Sequence, residues 1–512
     1  MFKEGLSLLR LTKRFKQFID SDNEESKKTA AHFINNLLDN EKGIYLKIGQ
    51  VLGSKSGALD EFRVLTQSRQ TAIELDVIVP YLEDIYRVEI ATIFSEIDES
   101  IYPASIGQVH KGKLITGENV AIKIQYPHMK EKIKSQLKVL KLIPLVENVS
   151  PTKKWGVDLD SYYKMIEKTL EEELDYKKEI KNQKQYAQLN KDLTYLNISN
   201  IYEDISNDKV IVQSWEEGLF IHQIADLWSQ KDRDLLGKNL LFIFFKNLLV
   251  DGFFQGDCNI GNYLFKKDPN GEPIITILDF GNCATFESKK GLALCRIILD
   301  TIDEEDIDPI AALSLIGFDK EKLFHIKDTL PLLLQVIFEP FKASFKYDLT
   351  KWNIKNKVEI ILGEYKWWFR SAGDTIFFQV IKSFFGTVNL LEIIGAKVSW
   401  KRTFMEVISE IKSEALRVNY PVTREDYTSF KTLAKNLNVI IKENGKEKVN
   451  IKMPASVILD LEEYLDSEVL EKLKNKGHNI HEIKKNILLT GGLPQIVFKL
   501  EENNKSYLVQ LV

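Results

Sequence analysis

A strand lysine, an aspartate five residues ahead of an asparagine, and a second aspartate followed by Phe-Gly are the residues here whose types and spacing could do chemistry. They are Lys123 in Val120-Ala121-Ile122-Lys123, Asp257 and Asn262 in Gly256-Asp257-Cys258-Asn259-Ile260-Gly261-Asn262, and Asp279 in Asp279-Phe280-Gly281. An ammonium can hold the α- and β-phosphates of a nucleotide, and a carboxylate with an amide oxygen can hold magnesium. Another carboxylate can orient or deprotonate the acceptor. Any one tripeptide says little. Their joint order, with Asp279 arriving 22 residues after Asp257, is that of a kinase-type phosphoryl-transfer site using ATP and Mg2+.

Lys123 on its strand needs a carboxylate to hold it, and Glu179 is the candidate, on a helix expected over about 158–189. On one continuous helix Asp175 and Glu179, four residues apart, share a face and Glu173 stands off it. Ahead of Lys123, Val109 to Leu114 and Val120 to Gln125 flank Ile115-Thr116-Gly117-Glu118-Asn119, whose Gly117 and Asn119 suit a hairpin turn. The loop before that hairpin, Ala104-Ser105-Ile106-Gly107-Gln108-Val109, is where a nucleotide would be covered. It has one glycine where protein kinases have GxGxxG, which makes it stiffer and leaves fewer N–H groups open to close approach.

Around this centre the chain reads as helical to about residue 100, strand-rich with helices to about 300, helical to about 434, and a small α+β module over 435–512. That makes four regions: a helical extension over 1–100, a nucleotide-binding core over 101–300, a helical continuation over 301–434, and the terminal module. The fold class expected is α+β, bilobal and protein-kinase-like. In the first twenty residues Leu8, Leu11, Phe15 and Phe18 fall on one helical face beside Lys3, Arg10, Lys13, Arg14 and Lys16, a pattern for docking on the protein or lying on an anionic membrane. The apolar stretches Leu240 to Phe254 and Ile376 to Val398 are interrupted by polar residues and read as buried helices, with no transmembrane span.

Five elements carry a resemblance to a known family. Lys47-Ile48-Gly49-Gln50 has the form KxGQ, Ala104 to His110 the form of an ASxGQVH loop, Lys123 that of the VAxK lysine, Glu173 and Asp175 that of ExD, and Asp279 that of DFG. In these the chain resembles the UbiB/AarF family of atypical kinases, clearly over about 40–300 and weakly to about 410. The resemblance implies ATPase activity serving ubiquinone or other lipid metabolism and suppressed protein kinase activity. It also implies a KxGQ helix over the site, with Lys47, Gln50, Glu173 and Asp175 functional there. Where the family has HxDPHPGN this chain has Gln255 to Asn262, keeping the aspartate, glycine and asparagine and losing both histidines and both prolines.

Composition bounds the rest. With 512 residues, 44% hydrophobic and 28% charged, the chain has a globular composition, and its net charge of -4 argues against a nucleic-acid partner. Three cysteines without CxxC spacing favour a reducing compartment and argue against a disulfide framework or a zinc site. No signal peptide is read, so the chain is expected to begin at Met1 and to be cytoplasmic, with peripheral contact at a membrane and a lipophilic or phenolic partner. Two other readings stay open: a small-molecule kinase, because GDxxxxGN also suits aminoglycoside and choline kinases, and a catalytically silent nucleotide-binding scaffold. A regulatory protein kinase fits less well, since no APE-like segment follows Asp279.

Overall fold

The computed structural model describes residues 73–134, 167–421 and 434–512, apart from 105, 132, 169, 435, 466, 477–478, 490–493 and 503–504. Lys47, Gln50 and the amphipathic first twenty residues lie outside the described residues. Among the described residues two compact units form, the first from those within 73–134, 167–226 and 255–284, the second from those within 227–254 and 285–512.

The first unit opens with helix α1 (Leu75–Tyr86), then a four-stranded antiparallel sheet of β1 (Phe94–Pro103), β2 (Gly107–Leu114), β3 (Asn119–Gln125) and, after helix α2 (Tyr176–Leu189) and strand β4 (Leu196–Ile198), β5 (Val210–Ser214). The order across the sheet is β1-β2-β3-β5. The hairpin expected around Gly117 is present, with Gly117 at φ +104, a conformation that costs glycine little. Helix up to residue 100 is not: β1 starts at Phe94, inside the region expected to be helical. Its register slips between Phe94 and Glu96 and again between Ile97 and Ile101, so the period of two that marks a strand is broken in the sequence.

Alternation gives the sheet two faces. Val120, Ile122, Ile124, Val210 and Val212 meet Ile78 and Leu82 of α1 on one. Ile211 meets Ile106, Tyr126, Leu170 and Tyr176 on the other. Strands β6 (Tyr263–Lys267) and β7 (Pro273–Ile277) form an antiparallel pair, and β4 adds to β7 in parallel.

The second unit is mostly helical. Helix α3 (Gln230–Phe245) runs into a π turn at Lys246–Val250. Phe245 of α3 meets Phe341, Trp400 and Phe404 in an aromatic core. Helix α4 is Ser288–Ile302, and α5 (Thr375–Ile393) brings Phe384 against Trp352 and Trp400. Its segment Ile376–Ile393 is long and apolar enough to cross a membrane by length and composition, and 33% of it is buried, less than a core helix was expected to hide. The buried residues Val380, Ser383, Thr387 and Leu391 make one stripe.

The terminal module has the expected strands, β8 (Asn436–Glu443), β9 (Lys446–Pro454), β10 (Gln495–Glu502) and β11 (Lys505–Leu511), with helices α6 (Ser467–Asn475) and α7 (Ile480–Leu489) between. The two hairpins merge into one antiparallel sheet, ordered β9-β8-β11-β10. Leu437, Val497, Phe498, Leu500, Val509 and Leu511 are buried in it. Helix α7 packs on the helix Ile354–Leu362, so the module belongs to the second unit.

Candidate active site

All the chemistry-bearing residues that the structure describes lie in the first unit. Lys123 faces α2 from the middle of the sheet, and its Nζ donates to Glu179 Oε1 at 2.5 Å and to Asp279 Oδ2 at 2.9 Å. Three residues far apart in sequence thus meet at one ammonium. Burial alone would favour the neutral amine, but Asp279 and then Glu179 more than offset it and hold Lys123 well above the usual lysine value. Burial pushes the Glu179 carboxyl up to about 7, with Lys123 opposing the rise and Asp279 adding to it. The ammonium therefore stays charged.

Helix α2 supplies more than Glu179. Its buried positions Tyr176, Glu179, Asn182, Gln183 and Tyr186 recur at helical spacing. Asn182 Nδ2 donates to the Phe280 carbonyl at 3.0 Å, and the Tyr186 ring lies 5.2 Å from that of Phe280, which is fully buried. Asn182 was missed in the sequence, although it stands one turn past Glu179. The continuous helix expected through residues 171–179 is corrected here. Residues 170–173 are helical, Leu174 turns, and Asp175 caps α2, its Oδ1 accepting from the Lys178 N–H at 3.0 Å. Asp175 and Glu179 therefore do not share a helix face, because a capping aspartate has already left helical geometry.

The Asp257 loop is held by bonds from its own asparagine side chains to its backbone. Asn259 Oδ1 accepts from Gly261 N–H, and Asn262 Nδ2 donates to the Asp257 carbonyl at 3.1 Å. Gln255 joins this loop to the Asp279 segment: its Nε2 donates to the Asp279 carbonyl at 2.7 Å and its Oε1 accepts from the Tyr263 hydroxyl at 2.6 Å. Gly281 N–H donates to Asp279 Oδ1.

Of the loop ahead of β2, Ser105 is not described. Ala104 N–H donates to the Gly107 carbonyl, and Ile106 is buried with its carbonyl accepting from Tyr126 N–H. Gly107 cannot be anything larger, since a Cβ there would lie 2.1 Å from the Ile124 carbonyl oxygen. Val109 pairs with Lys123 and shares its face. Gln108, expected at the nucleotide, turns to the opposite face because strand residues alternate. There Gln108 Nε2 donates to the Ile73 carbonyl and Oε1 accepts from Ile73 N–H. His110 Nδ1 reaches the Asp98 carbonyl, so that nitrogen carries the proton and Nε2 accepts from Gln108.

Comparison with known proteins places this arrangement. Residues 66–313 match the family model described as ABC1 atypical kinase-like domain. This stretch is an ABC1 atypical kinase-like domain of the UbiB/AarF family. The atypical kinase coq-8 (mitochondrial) of Caenorhabditis elegans is 26% identical over 54% of the chain and 37% of its own length. The atypical kinase COQ8 (mitochondrial) of Saccharomyces cerevisiae is 28% identical over 49% of the chain and 50% of its own. AarF domain-containing kinase 1 of Drosophila melanogaster is 28% identical over 51% of each. The chain thus spans about half the length of these relatives or less. Rv3197 of Mycobacterium tuberculosis, solved as a complex with erythromycin, shares the fold at TM-score 0.51 and 22% identity, covering 75% of this chain and 97% of that one.

The ABC1 domain's oxygen donors fit magnesium. Magnesium takes one or two protein carboxylates beside substrate phosphates and water. Asp279 supplies a carboxylate and Asn262 an amide oxygen, while no group of three or more His, Cys, Asp or Glu suited to a metal occurs among the described residues. Such a donor set suits an ion that arrives with a nucleotide.

Proposed function

We propose that this chain is an ATP-dependent atypical kinase or ATPase that transfers the terminal phosphoryl group of MgATP to water or to a lipophilic or phenolic acceptor, in support of isoprenoid-quinone or other lipid metabolism. The observation that carries the reading is the Lys123 ammonium held between Glu179 and Asp279. Lys123 holds the α- and β-phosphates, Asp279 and Asn262 are the ligands for magnesium, and Asp257 orients or deprotonates the acceptor. Magnesium, when bound, neutralises phosphate charge. Gln255 keeps the Asp257 and Asp279 segments in register. Glu173 and Asp175 lie at the α2 entrance and act there on the nucleotide side through Asp175's capping of the helix that carries Glu179.

The likeness to proteins named as atypical kinases supports the reaction class. A cytoplasmic place with peripheral membrane contact is part of the same proposal. A catalytically silent nucleotide-binding scaffold is the second reading, favoured by the altered loop Gln255 to Asn262, which lacks both histidines and both prolines of HxDPHPGN. Phosphate release from MgATP by the wild type and Asp279→Asn, with and without anionic liposomes and a quinone-head-group phenol, separates them. Release that needs Asp279 and rises with liposomes or phenol is expected. MgATP binding without release selects the scaffold.

A further inference from the structure

Tyr176 stands at the start of α2, fully buried, and its hydroxyl has no hydrogen-bond partner among the described residues. Buried polar atoms without partners are rare in folded proteins, and each calls for a reason. Packing does not supply one. The ring sits among Ile106, Tyr126, Met129, Ile133, Leu170 and Ile211, and a phenylalanine would fill that place without leaving a hydroxyl unpaired.

The surroundings say what the hydroxyl is aimed at. It lies 3.0 Å from where a Cβ on Gly107 would be, directly against the glycine of the covering loop. Lys123 Nζ is 5.4 Å from the centre of the same ring. The loop is where the nucleotide would be covered and the ammonium is the group that meets its phosphates in the proposed function; the hydroxyl lies against the one and its ring beside the other. We propose that Tyr176 donates a hydrogen bond to a phosphate oxygen of the bound nucleotide, an inference that rests on the nucleotide reading above and adds a ligand-binding residue to it. The hydroxyl is solvent-inaccessible, so the Ala104–Gly107 loop must reseat as the phosphates enter. Burial raises the phenol above its ordinary value, Lys123 opposing and Glu179, Asp279 and Glu173 adding to the rise, so the group remains a donor.

The test is Tyr176→Phe in the full chain, with affinity for MgATP and for adenosine measured beside the thermal midpoint without nucleotide. A fivefold or larger loss of MgATP affinity is expected, with adenosine affinity unchanged and the midpoint unchanged or higher, since an unpaired buried hydroxyl has been removed. Unchanged MgATP affinity overturns the proposal, whatever the midpoint does. So does an equal loss for MgATP and adenosine, which would report a general distortion. Failure of the wild type to bind MgATP sinks the nucleotide reading itself, a result distinct from a silent Tyr176→Phe.

Discussion

The two faces of the β1-β2-β3-β5 sheet both bury polar side chains, yet they treat them in opposite ways. Toward α1, Gln108 and His110 are fully buried and their bonds close on one another and on the backbone of Ile73 and Asp98. Toward α2, one ammonium faces two carboxylates, and a buried hydroxyl has no partner among the described residues. A satisfied network holds structure together, whereas an unbalanced one costs stability and leaves capacity for a ligand. Adjacent residues of one strand, Gln108 and Val109, belong to different tasks.

Substitutions can sharpen that contrast. The largest effect is expected from Lys123→Met, which removes the charge proposed to meet the phosphates: phosphate release from MgATP should fall on the order of a hundredfold or more. Activity close to wild type would mean that the α2-facing side is structural after all. On the other face, Gln108→Leu strips both partners from Ile73 and one from His110. Urea unfolding should show about 2–3 kcal/mol lost, while turnover per folded molecule stays near wild type. A selective fall in turnover would instead put Gln108 back at the nucleotide.

A smaller change is expected at the seam between loop and metal segment. Gln255→Met keeps the volume but cuts the bond to the Asp279 carbonyl, and the magnesium dependence of phosphate release should shift by about tenfold toward higher concentration. No shift would show that Asp279 is positioned without Gln255. The weakest signal is pH. Glu179 titrates near 7 when folded against 4.5 when free, so between those values the folded chain holds a proton that the unfolded chain has released. Its contribution to stability is present below about 4.5 and lost as pH rises through about 7. Glu179→Gln should flatten that part of a stability-against-pH curve, and an unaltered curve would place the titration elsewhere.

Much of this was legible before any coordinates. The hairpin, the α2 carboxylate for Lys123 and the four strands of the terminal module were readable because hydrophobic period and turn chemistry are local. Strand β1 was not, since two register slips erase its alternation. The break at Leu174–Asp175 was hidden by an acidic run that suits a helix throughout, and only the cap bond to Lys178 shows where the new helix starts.

Sequence alone determined which groups are available: an ammonium, three carboxylates and an amide in the order of phosphoryl transfer, with the resemblance to UbiB/AarF proteins following from their spacing. Tertiary structure decided which of them meet. Lys123 and Asp279 are 156 residues apart and share one hydrogen bond, Gln108 and Val109 are neighbours and face opposite ways, and Tyr176 looks like any core aromatic until its hydroxyl is found without a partner among the described residues. Spacing along a chain is a one-dimensional quantity, while burial, side-chain direction and the completeness of a hydrogen-bond network exist only once distant segments have packed.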